Sequence, residues 1–302
     1  MVYDGAILEH AERLEIEDQA LAEISNNIVD FLIKNKLHSI SRRKGISSTL
    51  AMVKDLAFYA PRISMLTAHT NFAVYLLDKL FEINDVESIV SLGLLEPTSR
   101  SVSLSFNIDD LGDCLSLTGT KMFAYHGLSD LAIIIGRRKE RCYLVLVRLE
   151  DIPKPTYHLA LKRLGLGLSI INFKESRIFG NYRVVEISSS VVELIRVFLD
   201  LLEHHIRGIK ERLLEETRLY SEEDRDGDII SSKNKHIERY LTDNQFDATE
   251  ILNIMYKTLN NFGVLSIVEG TLVNHFLMCL VEGLAYYYDV KKMALDLYNL
   301  FA

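Results

Sequence analysis

Glu269 sits in SIVEGTLV (266–273), inside the otherwise apolar run FGVLSIVEGTLVNHFLMCLVEGLAYYY. Burial makes an isolated charge expensive, so the residue calls for an explanation. Two readings account for it. An acid at a helix start is favoured by the helix dipole. An acid in a dry pocket has its pKa raised by desolvation and is suited to act as a catalytic base. Glu282 is a similar acid in the same apolar texture, which keeps the structural reading open.

Other chemical patterns fail on spacing. SEEDRDGD resembles a calcium loop, but counting from Glu222 places Lys233 where a bidentate glutamate is needed. It reads as a solvated turn. GLGLSI (165–170) puts Ile170 where a dinucleotide fingerprint needs its third glycine. His204 and His205 are helix neighbours that point about 100° apart, so they cannot share a metal. Cys114, Cys142 and Cys279 are scattered and show no CxxC, which argues against a disulfide framework or structural zinc. We expect no metal and a reducing, cytoplasmic setting.

The bulk numbers bound the rest. A chain of 302 residues can bury a sizeable core. Its 48% hydrophobic and 25% charged residues are ordinary for a globular protein. The net charge of −8 argues against a nucleic-acid partner. The acidic N-terminus lacks the apolar core of a signal peptide. The apolar stretch 262–288 carries Glu269, Asn274, His275 and Glu282, so it reads as buried helix rather than as a membrane span.

Three segments must position these residues. Residues 1–89 show the three- and four-residue spacing of helices, with Ile24, Ile28, Phe31 and Leu32 along one face. Residues 90–187 turn to strands: SVSLSFNI alternates from 101, and CLSLTGTKMFAY, LAIIIG, CYLVLVRL, INFKESRIF and YRVVEI follow. From 188 the helical period returns in VVELIRVFLDLLEHHIRGIKERLLEETRLY. The expected fold class is α+β: an N-terminal helical domain, a central β-barrel-like domain, and a C-terminal helical bundle over 188–302.

This order, together with LEPTSRSV (95–102), GTKMFAYHG (119–127) and EGT (269–271), resembles the acyl-CoA dehydrogenase family. That family carries T-E-P-x-x-G-S-D, then G-x-K-x-W-I-[ST]-[NG]-G, then E-G-T, in the same sequence. The resemblance implies an FAD-dependent oxidoreductase acting on an acyl-CoA thioester. Glu269 would remove the α-proton while the β-hydrogen leaves as hydride to flavin N5. The N–H groups of Glu269 and Gly270 would face the substrate carbonyl. The flavin contacts would fall to Leu95, Ser101, Phe123, Tyr125 and Thr271. An electron-transferring flavoprotein would take the electrons, and a homodimer or homotetramer would form.

The sequence departs from the pattern at Leu95, Arg100, Val102, Phe123 and Tyr125, where the family has threonine, glycine, aspartate, tryptophan and serine or threonine. No Arg-x-x-Phe-Gly or Gly-Gly-x-Gly stretch is present either. A second reading therefore stands beside the first: a catalytically degenerate member of the fold that works as a binding or assembly partner. An unrelated helical protein with a β insert is the third.

Overall fold

The computed structural model describes residues 5–18, 24–84, 86, 88–97, 105–155, 157–159, 165–166, 168–223 and 271–301. Helix α5 (Pro61–Leu80) is the hub. Proline at its first position costs no intrahelical bond there and presets φ. The helix is buried almost all round, so its polar residues must bond locally. Thr67 and Thr70 hydroxyls donate to Ile63 O and Leu66 O, each at 2.8 Å. Asn71 bonds Leu37 O and the Ser41 N–H, which ties α5 to α3 (Ile40–Lys44).

Around α5 lie α1 (Gly5–Asp18), α2 (Asn26–Lys34), α4 (Ile46–Tyr59), α6 (Ser189–Glu223) and α7 (Thr271–Phe301). Helix α6 continues through Ser221–Glu223, the first residues of the charged run that reads as a turn in the sequence. The rings of Phe72 on α5 and Phe198 on α6 stack at 4.5 Å with planes 8° apart. Helix α6 crosses α4 at Gly208, where an added Cβ would sit 2.2 Å from Lys54 O. Backbone cannot yield as a side chain tip can. Gly208→Ala is therefore expected to destabilise by about 2 kcal/mol, the cost of overpacking a close crossing. A urea midpoint unchanged from wild type would contradict this.

The strands form one eight-stranded sheet: β1 (Ile89–Leu95), β2 (Asn107–Asp110), β3 (Cys114–Ala124), β4 (Ser129–Arg138), β5 (Arg141–Arg148), β6 (Tyr157–Leu159), β7 (Leu168–Phe179) and β8 (Arg183–Glu186). The order is β6-β7-β3-β1-β4-β5-β8. Among the described residues nothing pairs β6 with β8, so no barrel closure is seen. Strand β1 pairs with β3 and, in parallel, with β4. Strand β2 then takes the next place between the same two neighbours. Residues 98–104, between β1 and β2, lie outside the described residues. Of the alternation expected from 101, residues 101–104 are therefore not described; from 106 it holds, with Phe106 and Ile108 buried and Asn107 and Asp109 exposed.

Two cores result. The larger joins the helices to one face of the sheet and includes Leu95, Ala124 and Tyr125. The smaller fills the other face with Phe106, Phe123, Ile134, Val145 and Phe173. Among the described residues no helix is long and apolar enough to cross a membrane.

Candidate functional site

The end of β1 is clamped to the residues just before β2. Glu96 closes the clamp. Its carboxylate accepts from the Ser105 N–H (3.0 and 3.2 Å), the Ser105 hydroxyl and the Phe106 N–H (3.1 Å). Lys121 on β3, fully buried, reaches the same carboxylate at 3.0 Å and Leu94 O at 3.4 Å. Its ammonium also lies 5.3 Å from the Phe106 ring centre. Burial pulls the lysine down to about 8, against the pull of Glu96 the other way. Burial also pushes Glu96 up, but Lys121 and the Ser105 bonds outweigh it and hold the carboxyl below its ordinary range.

Leu95 closes β1 opposite Met122 and is 7% exposed. Phe123 is 0% exposed. Its ring lies across β1 at Gly93, where a Cβ would come within 2.7 Å, and faces Phe173 in the smaller core. Tyr125 is 2% exposed and has left-handed backbone, φ 56°. Its N–H donates to Leu166 O, and its side chain enters the helical core. There the phenol oxygen has no hydrogen-bond partner among the described residues. Burial pushes its pKa well up, with Tyr286 adding to the effect.

Tyr125 meets a histidine that sequence reasoning missed. His69 on α5 is boxed by the rings of Tyr125 (5.1 Å), Phe198 (5.0 Å) and Tyr286 (5.2 Å). Neither ring nitrogen has a partner among the described residues. Burial drops its pKa to about 3, and nearby His205 adds to the fall. His205 on α6 bonds the Ser64 hydroxyl through Nδ1 at 3.0 Å. That hydroxyl already donates to Val53 O, so Nδ1 carries the proton. Nε2 then has no proton to give, and it faces Gly283 on α7. Burial puts this pKa also at about 3. The sequence signal for His69 was TAHTNF, polar residues inside an apolar helix.

Structure thus brings Leu95, Phe123 and Tyr125 onto neighbouring backbone, but turns them into two different cores. Thr271 is the first residue of α7. Ser101, Glu269 and Gly270 lie outside the described residues. A flavin contact requires surface for the flavin to cover. Leu95, Phe123 and Tyr125 have almost none, because they pack against the chain's own side chains. These three residues do not fit FAD as placed.

No family model matches the chain, and no curated protein matches it. Solved structures do. A glutaryl-CoA dehydrogenase from Mycobacterium smegmatis in complex with FADH2 superposes with a TM-score of 0.72 at 13% identity, covering 97% of this chain and 93% of that one. Butyryl-CoA dehydrogenase from Megasphaera elsdenii gives 0.61 at 12%, covering 87% and 79%. A structure of the electron transferring flavoprotein of Acidaminococcus fermentans gives 0.62 at 12%, covering 99% and 89%. The chain has an acyl-CoA dehydrogenase-like fold of mixed helix and sheet.

Proposed function

We propose that this chain keeps the acyl-CoA dehydrogenase-like fold without its flavin, and works as a binding or assembly partner rather than as a dehydrogenase. One observation carries the reading. Leu95, Phe123 and Tyr125 are 7%, 0% and 2% exposed, packed against the chain's own side chains. Admitting a flavin ring at these contacts would mean breaking the Tyr125–His69–Phe198 packing and exposing apolar side chains already buried. The altered residues at Arg100 and Val102 point the same way. In this reading the chain forms a homodimer or homotetramer, or pairs with a catalytic relative. Its three reduced cysteines suit a cytoplasmic protein.

A second reading is favoured by the sequence run Glu269–Gly270–Thr271, whose last residue opens α7. There the chain is an FAD-dependent dehydrogenase, Glu269 takes the α-proton of an acyl-CoA thioester, and an electron-transferring flavoprotein accepts the electrons. Absorption between the near ultraviolet and the blue separates the two. Protein incubated with FAD and washed is expected to stay colourless and unchanged by butyryl-CoA or glutaryl-CoA. A retained flavin band that bleaches with either thioester, and stops bleaching in Glu269→Gln, would overturn the proposal.

A further inference from the structure

Glu15, His275 and Cys279 meet in the interior between α1 and α7. Their exposures are 0%, 2% and 0%. The His275 Nε2–H donates to Glu15 Oε1 at 2.7 Å. Cys279 Sγ lies 3.7 Å from the same nitrogen. One oxygen, one nitrogen and one sulfur thus fall within 4.8 Å of one another. His275 and Cys279 are a helical turn apart on one face of α7. Glu15 comes from the facing helix, where both its oxygens also accept the Arg62 N–H at the start of α5, at 3.2 Å each.

We propose that Glu15, His275 and Cys279 form a structural site for one zinc-class divalent ion, which fastens the first helix to the last. The donor set is the kind such an ion takes: carboxylate oxygen, imidazole nitrogen and thiolate. Bond lengths of about 2.0–2.3 Å in a tetrahedron put ligand atoms roughly 3.3–3.6 Å apart. Sγ lies 3.7 Å from Nε2 and 4.0 Å from Nδ1, beside the ring, so the thiol must turn toward the Nε2 lone pair for one ion to reach both. The nitrogen–oxygen spacing must open by about 0.6 Å, which the loss of the shared proton allows.

Binding is an exchange of protons for metal. The ring changes tautomer, carrying its one proton on Nδ1 so that Nε2 is bare for the ion and the imidazole stays neutral; the thiol proton goes to solvent, and nothing is oxidised. One thiolate and one carboxylate cancel the two charges of the ion, so the occupied site is neutral where burial penalises net charge. The carboxylate has lone pairs left for the Arg62 N–H. Among the described residues the protein supplies three ligands to the site. Because Glu15 and His275 lie 260 residues apart in the chain, the ion would close a very long loop.

The competing account is a Glu–His hydrogen bond with a packed thiol beside it. Cobalt alone discriminates. Full-length protein, stripped with chelator, is titrated with Co²⁺. We expect one ion per chain, with thiolate-to-cobalt charge transfer in the near ultraviolet and the visible bands of a tetrahedral ion. The spectrum should persist in Cys114→Ser/Cys142→Ser. Cys279→Ser should remove the charge-transfer band and weaken binding by roughly 100-fold, at or above what loss of a second-shell partner costs. Zn²⁺ should raise the melting temperature of the wild type. No cobalt spectrum in the wild type, or one that survives in Cys279→Ser, would overturn the proposal. The wild-type titration decides even if that variant does not fold. None of these outcomes depends on whether the chain holds flavin.

Discussion

Lowering the pH from 7 to 5 is expected to destabilise the fold by about 2 kcal/mol for each of His69 and His205. Both rings have folded pKa values of about 3, against 6.5 for an exposed histidine. The folded state keeps them neutral, whereas the unfolded chain protonates them below 6.5. Their contribution is therefore complete above about pH 6.5 and declines as the pH falls toward 3. The cause is geometric. Three aromatic rings box His69, and the Nδ1 of His205 is held by Ser64. No carboxylate stands among these partners to receive a proton. Urea unfolding at both pH values measures the effect. His69→Phe fits the same aromatic box and should remove about half of the acid loss, with little change at pH 7. An acid loss of wild-type size in His69→Phe would show that another group titrates.

Glu96→Gln is expected to cost about 3 kcal/mol at pH 7. Lys121 would be left buried without its counter-charge. It has an escape, because its pKa is already near 8. Giving up its proton at pH 7 costs about 1.4 kcal/mol for that one unit. The rest of the loss comes from the carboxylate's bonds to Ser105 and Phe106, which weaken. Replacing the lysine as well, in Glu96→Gln/Lys121→Met, should recover part of the stability, since an apolar side chain then fills a dry site. A double variant less stable than Glu96→Gln alone would mean that Lys121 contributes something other than a buried charge.

Periodicity made much of this fold readable. The spacing in VVELIRVFLDLLEHH and the β-branched runs LAIIIG and CYLVLVRL are local signals, and α6, β4 and β5 follow them. What could not be read was long-range. Nothing local says that β1 and β2 share one slot between β3 and β4. Pairing of that kind depends on register set by distant residues. At the candidate site, LEPTSRSV starts at the last residue of β1 and GTKMFAYHG runs along the end of β3. Their side chains were harder to place. Tyr125 takes a left-handed backbone and turns inward toward His69. Phe123 turns to the opposite core because Gly93 leaves room for its ring. Glu96 and Lys121 sat inside the two quoted motifs, but only their meeting in space, 25 residues apart, makes them a clamp. The buried acid that the sequence suggested was Glu269. Among the described residues Glu15 is such an acid, and its partners lie on α5 and α7.

The central claim is that the flavin contacts are filled by the chain itself. Fluorescence of FAD titrated with the purified protein tests it most directly, since an enclosed flavin changes its emission whether or not chemistry follows. The account predicts no saturable change at any protein concentration that stays in solution. Saturable binding of one FAD per chain would contradict it, and would return Leu95, Phe123 and Tyr125 to the role of cofactor contacts.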